Sequence, residues 1–196
     1  MSRTASIARH TSETRISVRL DLDGGGQAEI ATGIGFLDHM LTALARHAGF
    51  TLQLTAEGDL HIDAHHTVED CGIAIGRALG EAMGDGGGIA RFGQALVPMD
   101  EALVEAAIDV SGRGLLAFDV AFERPMLGTM DTQLVEEFFR AFAANARITL
   151  HLRRIAGSNA HHVAEASFKA VARAVRMAVA IDPRVAGAVP STKGVL

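Results

Sequence analysis

Two five-residue runs of the same make-up, His65-His66-Thr67-Val68-Glu69 and His161-His162-Val163-Ala164-Glu165, each open a long alanine-rich stretch of helical composition. On a helix, residues three and four apart share a face, whereas neighbours point about 100 degrees apart. Each glutamate can therefore stand beside one of its histidines while the two histidines diverge. Each pair then divides its imidazoles between two ions, and the two copies build a pair of related sites. Imidazole mixed with carboxylate, without thiolate, suits Mn2+, Fe2+, Co2+, Ni2+ or Zn2+ rather than Ca2+. The bland alternative is two capped helix starts with surface histidines, and the repetition of the whole pentad argues against it.

The elements that must hold these runs follow from periodicity. Ile16, Val18, Leu20 and Leu22 alternate with polar residues up to Asp23-Gly24-Gly25-Gly26, after which Ala28 and Ile30 resume, and this predicts a hairpin. A helix follows from Phe36 to His47, then a strand through Phe50, Leu52 and Leu54, then a helix from His66 to Met83 that stops at Gly84. The stretch Gly84 to Gly88 lacks the Gly-Lys-Ser or Gly-Lys-Thr of a phosphate loop and runs from helix to strand, so it reads as a helix stop. Strands are expected at Gln94 to Pro98, Leu103 to Val110 and Leu116 to Phe122. A helix from Asp131 to Asn145, a strand from Ile148 to Arg154 and a helix from His161 to Ala180 complete the series.

The pentads lie 96 residues apart, and the same offset matches Arg77 with Arg173. The expected fold class is α+β, with two duplicated β-sheet plus helix halves, residues 1–92 and 93–196, packed into one compact unit. If the halves are duplicates, the helix Phe36-Leu37-Asp38-His39-Met40-Leu41 matches Leu134-Val135-Glu136-Glu137-Phe138-Phe139. His39 then stands opposite Glu137, which adds one candidate ligand to each half.

Composition narrows the function classes. The 196 residues are 48% hydrophobic, enough for a substantial core. A formal charge of -5, with no Trp, no Tyr and no basic stripe, argues against a nucleic-acid partner and for a small molecule. The single cysteine, Cys71, can form no internal disulfide, and Met1 to Leu20 lacks the apolar core of a signal peptide. Charged residues interrupt every long apolar run, so no membrane span is expected and the compartment reads as the cytoplasm.

Beyond the pentads, Gly33-Ile34-Gly35-Phe36-Leu37-Asp38-His39-Met40-Leu41, Gly58-Asp59-Leu60-His61-Ile62-Asp63, Arg91-Phe92-Gly93 and Pro98-Met99-Asp100-Glu101-Ala102 stand out. So do Ser111-Gly112-Arg113, Asp131-Thr132-Gln133-Leu134-Val135-Glu136, Phe168-Lys169-Ala170 and the C-terminal Ser191-Thr192-Lys193-Gly194-Val195-Leu196. In these runs the chain resembles, over almost its whole length, the imidazoleglycerol-phosphate dehydratase family of histidine biosynthesis. The resemblance implies two duplicated α+β halves, a di-manganese site (two Mn2+ per active site) built between subunits, and a homo-oligomer of 24 chains. Carried over by position, it makes His39, His65, His66, Glu69, His161, His162 and Glu165 metal ligands. Glu137 stands where a histidine is expected, and could still ligate while making that site harder and more negative. Ala43 stands where a glutamine helping to hold the substrate phosphate is expected. Arg91, Arg113, Lys169, Ser191 and Lys193 are implied to bind that phosphate.

Composition supports two of these independently. The chain has sixteen arginines and only two lysines, Lys169 and Lys193. In an arginine-biased chain a lysine suggests a place where a compact ammonium serves better than a planar fork, as against a phosphate oxygen. Lys169, four residues after Glu165, would project on the same face as the second pentad.

The implied reaction is loss of water from imidazole glycerol phosphate to give imidazole acetol phosphate. No carbonyl acidifies the C–H bond, so the ring must activate it; a bound cation favours the imidazolate, which can expel the adjoining hydroxyl. Such a scheme needs a base for the ring N–H and an acid for the departing hydroxyl. Glu165 or its counterpart Glu69 is the candidate for the first, Glu13 for the second, and Asp100 a further catalytic candidate. Two other readings stand beside it, a binuclear metallohydrolase and a metal-storage or structural protein. Of the remaining histidines, His47 reads as a helix-end residue, His151 as an outward strand residue, His61 as either a ligand-supporting or a surface residue, and His10 as part of a mobile N-terminus.

Overall fold

The computed structural model describes residues 3–185, 187–194 and 196. In chain order the first half contains β1 (Thr4–His10), β2 (Thr14–Asp21), β3 (Ala28–Ala31), α1 (Gly35–Ala48), β4 (Thr51–Gly58) and α2 (His65–Met83). The second contains β5 (Phe92–Met99), β6 (Ala102–Asp109), β7 (Leu115–Asp119), β8 (Met126–Leu127), β9 (Met130–Asp131), α3 (Gln133–Ala146), β10 (Thr149–Ala156) and α4 (Ala160–Ala178).

The two sheets have one topology. The first runs β1-β2-β4-β3 and the second β5-β6-β10-β7, each with two antiparallel pairings and one parallel pairing. The parallel pairs, β3 with β4 and β7 with β10, are each bridged by a helix, the connection that parallel neighbours require. The α+β class and the two similar halves expected from the sequence are both present. The small β8–β9 hairpin breaks the match. It lies between β7 and α3, whereas three residues, Thr32 to Ile34, join β3 to α1.

Two expectations are corrected. The strands on either side of Gly24-Gly25-Gly26 are not a hairpin, because β4 inserts between them, antiparallel to β2 and parallel to β3. A glycine turn between two alternating runs reports a change of direction, not whether a later strand will slip in. His10 also does not lie in a loose segment: β1 pairs with β2 along its whole length, and His10 closes it, exposed. As an edge strand β1 buries only Ala5 fully, which is why its pattern is faint. The β8–β9 strands were not expected at all, being two residues each.

Alternating residues Ile16, Val18, Leu20, Leu52 and Leu54 turn the inner face of the first sheet into core, and Val104, Ala106, Leu150 and Leu152 do so for the second. Onto those faces pack the helices, each half covering its own sheet with its second helix. Between the halves the helices cross over: α1 packs chiefly on α4, and α2 chiefly on α3. The α2–α3 contact is backbone to backbone. A Cβ built on Gly72 would stand 2.6 Å from the Phe138 carbonyl oxygen, and one on Gly76 the same distance from that of Phe142. Phe138, Phe139, Phe142 and Phe168 fill the space beside this seam, with Phe139 and Phe168 centroids 4.7 Å apart.

Gly76→Ala should therefore lower stability by about 1–3 kcal/mol, since a rigid carbonyl must move, although alanine is the better helix former; denaturant unfolding would show it. Cys71 is fully buried on α2, and burial pushes its thiol well above its ordinary range. A disulfide reagent should leave the native protein unlabelled and titrate one thiol only after denaturation.

Candidate metal centre

Both pentads occupy first helical turns, and a side chain just ahead of each accepts from its first backbone N–H groups. Asn159 caps α4, its side-chain oxygen accepting from the backbone N–H groups of His161 and His162 at 3.0 and 3.4 Å. Before α2, Asp63 accepts from the His65 backbone N–H at 2.8 Å. The first turn of α1 has another device: Asp38 reaches back to accept from the Thr32 backbone N–H at 2.9 Å and hydroxyl at 2.6 Å. Capping and metal ligation are thus compatible uses of the same helix starts.

Because α1 packs on α4, His39 meets the second pentad rather than the first. The Glu165 Oε2 stands 3.2 Å from His39 Nε2 and 3.1 Å from His161 Nε2, and the three ligand atoms lie within 4.8 Å of one another. Neighbouring ligands of an octahedral ion with bonds of about 2.1 Å stand about 3 Å apart, so the donor set fits one divalent ion. Phe36 stands edge-on to His161, ring centroids 5.3 Å apart, and holds that ring from the side. Glu165 is buried, and its other oxygen accepts from Lys169 Nζ at 2.6 Å. Burial alone would raise the Glu165 carboxyl; the Lys169 ammonium and His39 outweigh it and hold it below its ordinary value.

The first pentad is arranged differently. His65 and Glu137 line one cavity of about 560 Å3 with Asp63 and Asp131, and the β8–β9 hairpin supplies Met126 and Thr129 to its wall. Glu137 lies 3.7 Å from Arg140, one turn along α3. Glu69 is half-buried, and among the described residues the compact three-ligand group is the one at Glu165. The extra candidate ligand of each half therefore stands beside the other half's pentad.

His66 and His162, the second histidine of each pentad, share one environment. His66 Nδ1 donates to Asp59 at 2.9 Å, and its Nε2 lies 3.8 Å from Glu13. His162 Nδ1 donates to Glu101 at 2.7 Å, and its Nε2 lies 3.7 Å from Asp100. The hydrogen bond to Asp59 raises the His66 pKa, and that to Glu101 raises the His162 pKa. In return His162, with the Asn159 backbone N–H, holds Glu101 down to about 2. Glu13 and Asp100 occupy corresponding hairpin tips, β1–β2 and β5–β6, both exposed. Asp59 and Glu101 were not picked out as acting residues in the sequence; the signal was a carboxylate in a turn beside each pentad.

The expected phosphate ligands fall into two neighbourhoods. Lys169 is at the Glu165 cluster. Arg91 donates to Asp109 at 2.8 Å and to the Pro190 carbonyl at 2.8 Å, next to Ser191, whose hydroxyl oxygen accepts from the Lys193 backbone N–H. Arg113 donates to the Ser111 carbonyl at 3.3 Å, and neighbouring Gly112 lies against Leu196. Ala43 is packed in α1 and offers no polar contact. His47 is a half-buried residue of the last turn of α1, His151 is exposed on β10, and His61 is exposed in the turn before α2 rather than on a strand.

Below the first pentad, Asp70 is buried and takes hydrogen bonds from Arg9 Nε at 2.8 Å and from the Thr14 hydroxyl. This ties the hairpin that carries Glu13 to the turn of α2 that carries Glu69.

A family model described as imidazoleglycerol-phosphate dehydratase matches residues 32–175. The chain is 72% identical, over all 196 residues and the whole of both chains, to the imidazoleglycerol-phosphate dehydratase of Acidiphilium cryptum. Among solved structures, that of the Staphylococcus aureus dehydratase is 40% identical with a TM-score of 0.83, covering 91% of this chain and 99% of that one. The Pyrococcus furiosus structure is 39% identical with a TM-score of 0.84, covering 97% and 100%.

Asp70→Ala leaves Arg9 and Thr14 without their partner, and should cost about 3 kcal/mol in denaturant unfolding. Asp70→Asn, which keeps an acceptor, should cost less.

Proposed function

The chain belongs to the imidazoleglycerol-phosphate dehydratase family, hydro-lyases of histidine biosynthesis, and from that premise we propose that it works with two Mn2+ ions held by its duplicated pentads. The observation that carries the reading is the convergence of His39, His161 and Glu165, from two helices of different halves, on a point suited to one ion. His65 with Glu137, and the outward nitrogens of His66 and His162, supply the remaining donors, Glu69 among them. Other divalent transition metals suit the same donors.

The ions, when bound, hold the substrate's imidazole and favour its deprotonated form. The chain's own groups do the rest. Glu165, kept ionised by Lys169 and His39, is the acceptor for the ring proton, with Glu69 its counterpart in the other half. Glu13, exposed on its hairpin tip and held there by the Arg9–Asp70–Thr14 contacts, serves the departing hydroxyl, and Asp100 occupies the matching tip. Lys169, Arg91, Arg113, Ser191 and Lys193 receive the phosphate. Within one chain Lys169 stands apart from the other four, which accords with sites completed between subunits of a homo-oligomer of 24 chains. Among the described residues no helix is long and apolar enough to cross a membrane. We place the enzyme in the cytoplasm.

The purified protein loaded with Mn2+ and given imidazole glycerol phosphate should release imidazole acetol phosphate, and removal of metal by a chelator should abolish turnover. Absence of turnover with metal demonstrably bound would sink the reading. Glu13→Gln should lower kcat by roughly 10²–10⁴-fold at unchanged metal content; full turnover would remove Glu13 from the mechanism.

A further inference from the structure

His66 and His162 are equivalent histidines, yet the carboxylates on their Nδ1 atoms come from places that do not correspond. Asp59 follows β4, and Glu101 sits in the β5–β6 turn. Aligning β4 with β10, which occupy the same sheet position, puts Gly157 opposite Asp59. Gly157 has no side chain to offer and no room for one: a Cβ there would stand 2.5 Å from the Cα of Ala102. The second half therefore reaches the same hydrogen bond by another route. Glu101 also accepts from the Asn159 backbone N–H at 2.9 Å, so it is fixed to the cap of α4 while it holds the ring.

Asp59 is held at some expense. Its Oδ2 accepts from His66, but its Oδ1 is buried with no protein partner, and leaving a buried acceptor unpaired is unfavourable. A carboxylate kept in such a position in one half, and replaced from a different segment in the other, points to the hydrogen bond itself as what is needed. A carboxylate can only accept, so Nδ1 must carry the proton and Nε2 must present its lone pair outward. There the nearest acids, Glu13 at 3.8 Å and Asp100 at 3.7 Å, are too far for a hydrogen bond.

We propose that Asp59 and Glu101 are positioning residues that fix the tautomer and aim of His66 and His162, so that both rings offer Nε2 to metal. This rests on the metal reading above, and the experiment separates the two. The metal-free protein is compared with Asp59→Ala, Asp59→Asn, Glu101→Ala and Glu101→Gln. The readouts are the ring-nitrogen NMR signals at alkaline pH, where the rings are neutral, and calorimetric titration with Mn2+, each variant first checked for native circular dichroism. In the wild type both rings should report Nδ1 protonated. Each alanine variant should lose that preference at its own histidine and weaken metal binding by roughly 10–100-fold, the range for partners that orient metal-ligating histidines. Each amide variant, which keeps a carbonyl acceptor, should recover most of both and so remain informative should alanine disturb folding. Wild-type protein that binds Mn2+ while the variants bind equally well with unaltered ring signals would overturn the proposal alone. Wild-type protein that takes up no Mn2+ would overturn the reading on which it rests.

Discussion

Close approach of helix backbones is the constraint from which the site follows. Glycines on α2 and a run of fully buried alanines on α4 remove the side chains that would otherwise hold the helices of the two halves apart. With that spacing α1 can lie on α4 and α2 on α3, and His39 arrives within hydrogen-bond distance of Glu165 although 126 residues separate them. Side chains brought together this way need no flexible loop, and their aim is set by packed helices, a rigid mounting that would suit a metal site.

The two halves are alike in plan and unlike in finish. The second-half pentad is already gathered with His39 into a tight group, while the first-half pentad opens on a cavity walled by the β8–β9 hairpin, an element without a counterpart. The first half has the Arg9–Asp70–Thr14 lock. In the second, at the pentad offset, Asp70 is matched by Ala166, buried among apolar neighbours. Duplication supplied two copies of a candidate ligand set, and their surroundings have since diverged.

Much of this was legible in the chain. Helix ends could be placed to within two or three residues because apolar spacing, caps and glycine stops agree, and the pentads named most of the candidate ligands before any coordinate. What escaped depends on distance in sequence. Strand order was misjudged at Gly24-Gly25-Gly26 because pairing of β2 with β4 is a tertiary event that local turn chemistry does not encode. The crossing that gives His39 to the other half's pentad is invisible for the same reason. Asp59 and Glu101 were hidden because a carboxylate in a turn is ordinary until a ring nitrogen is seen against it.

The crossed helix pairing carries an implication about ancestry. Since α1 corresponds to α3 and α2 to α4, contacts of α1 with α4 and of α2 with α3 are the same contact made twice, with the roles exchanged. That reciprocity is what a two-fold axis imposes on two identical subunits. A single half, alone in water, would leave bare the helix faces that now meet the other half, and a second copy of itself would cover them. The chain therefore has the form of an isologous dimer whose two members were joined end to end through the glycines that follow α2. The join allowed each member to change without the other, as a symmetric dimer of one gene product cannot.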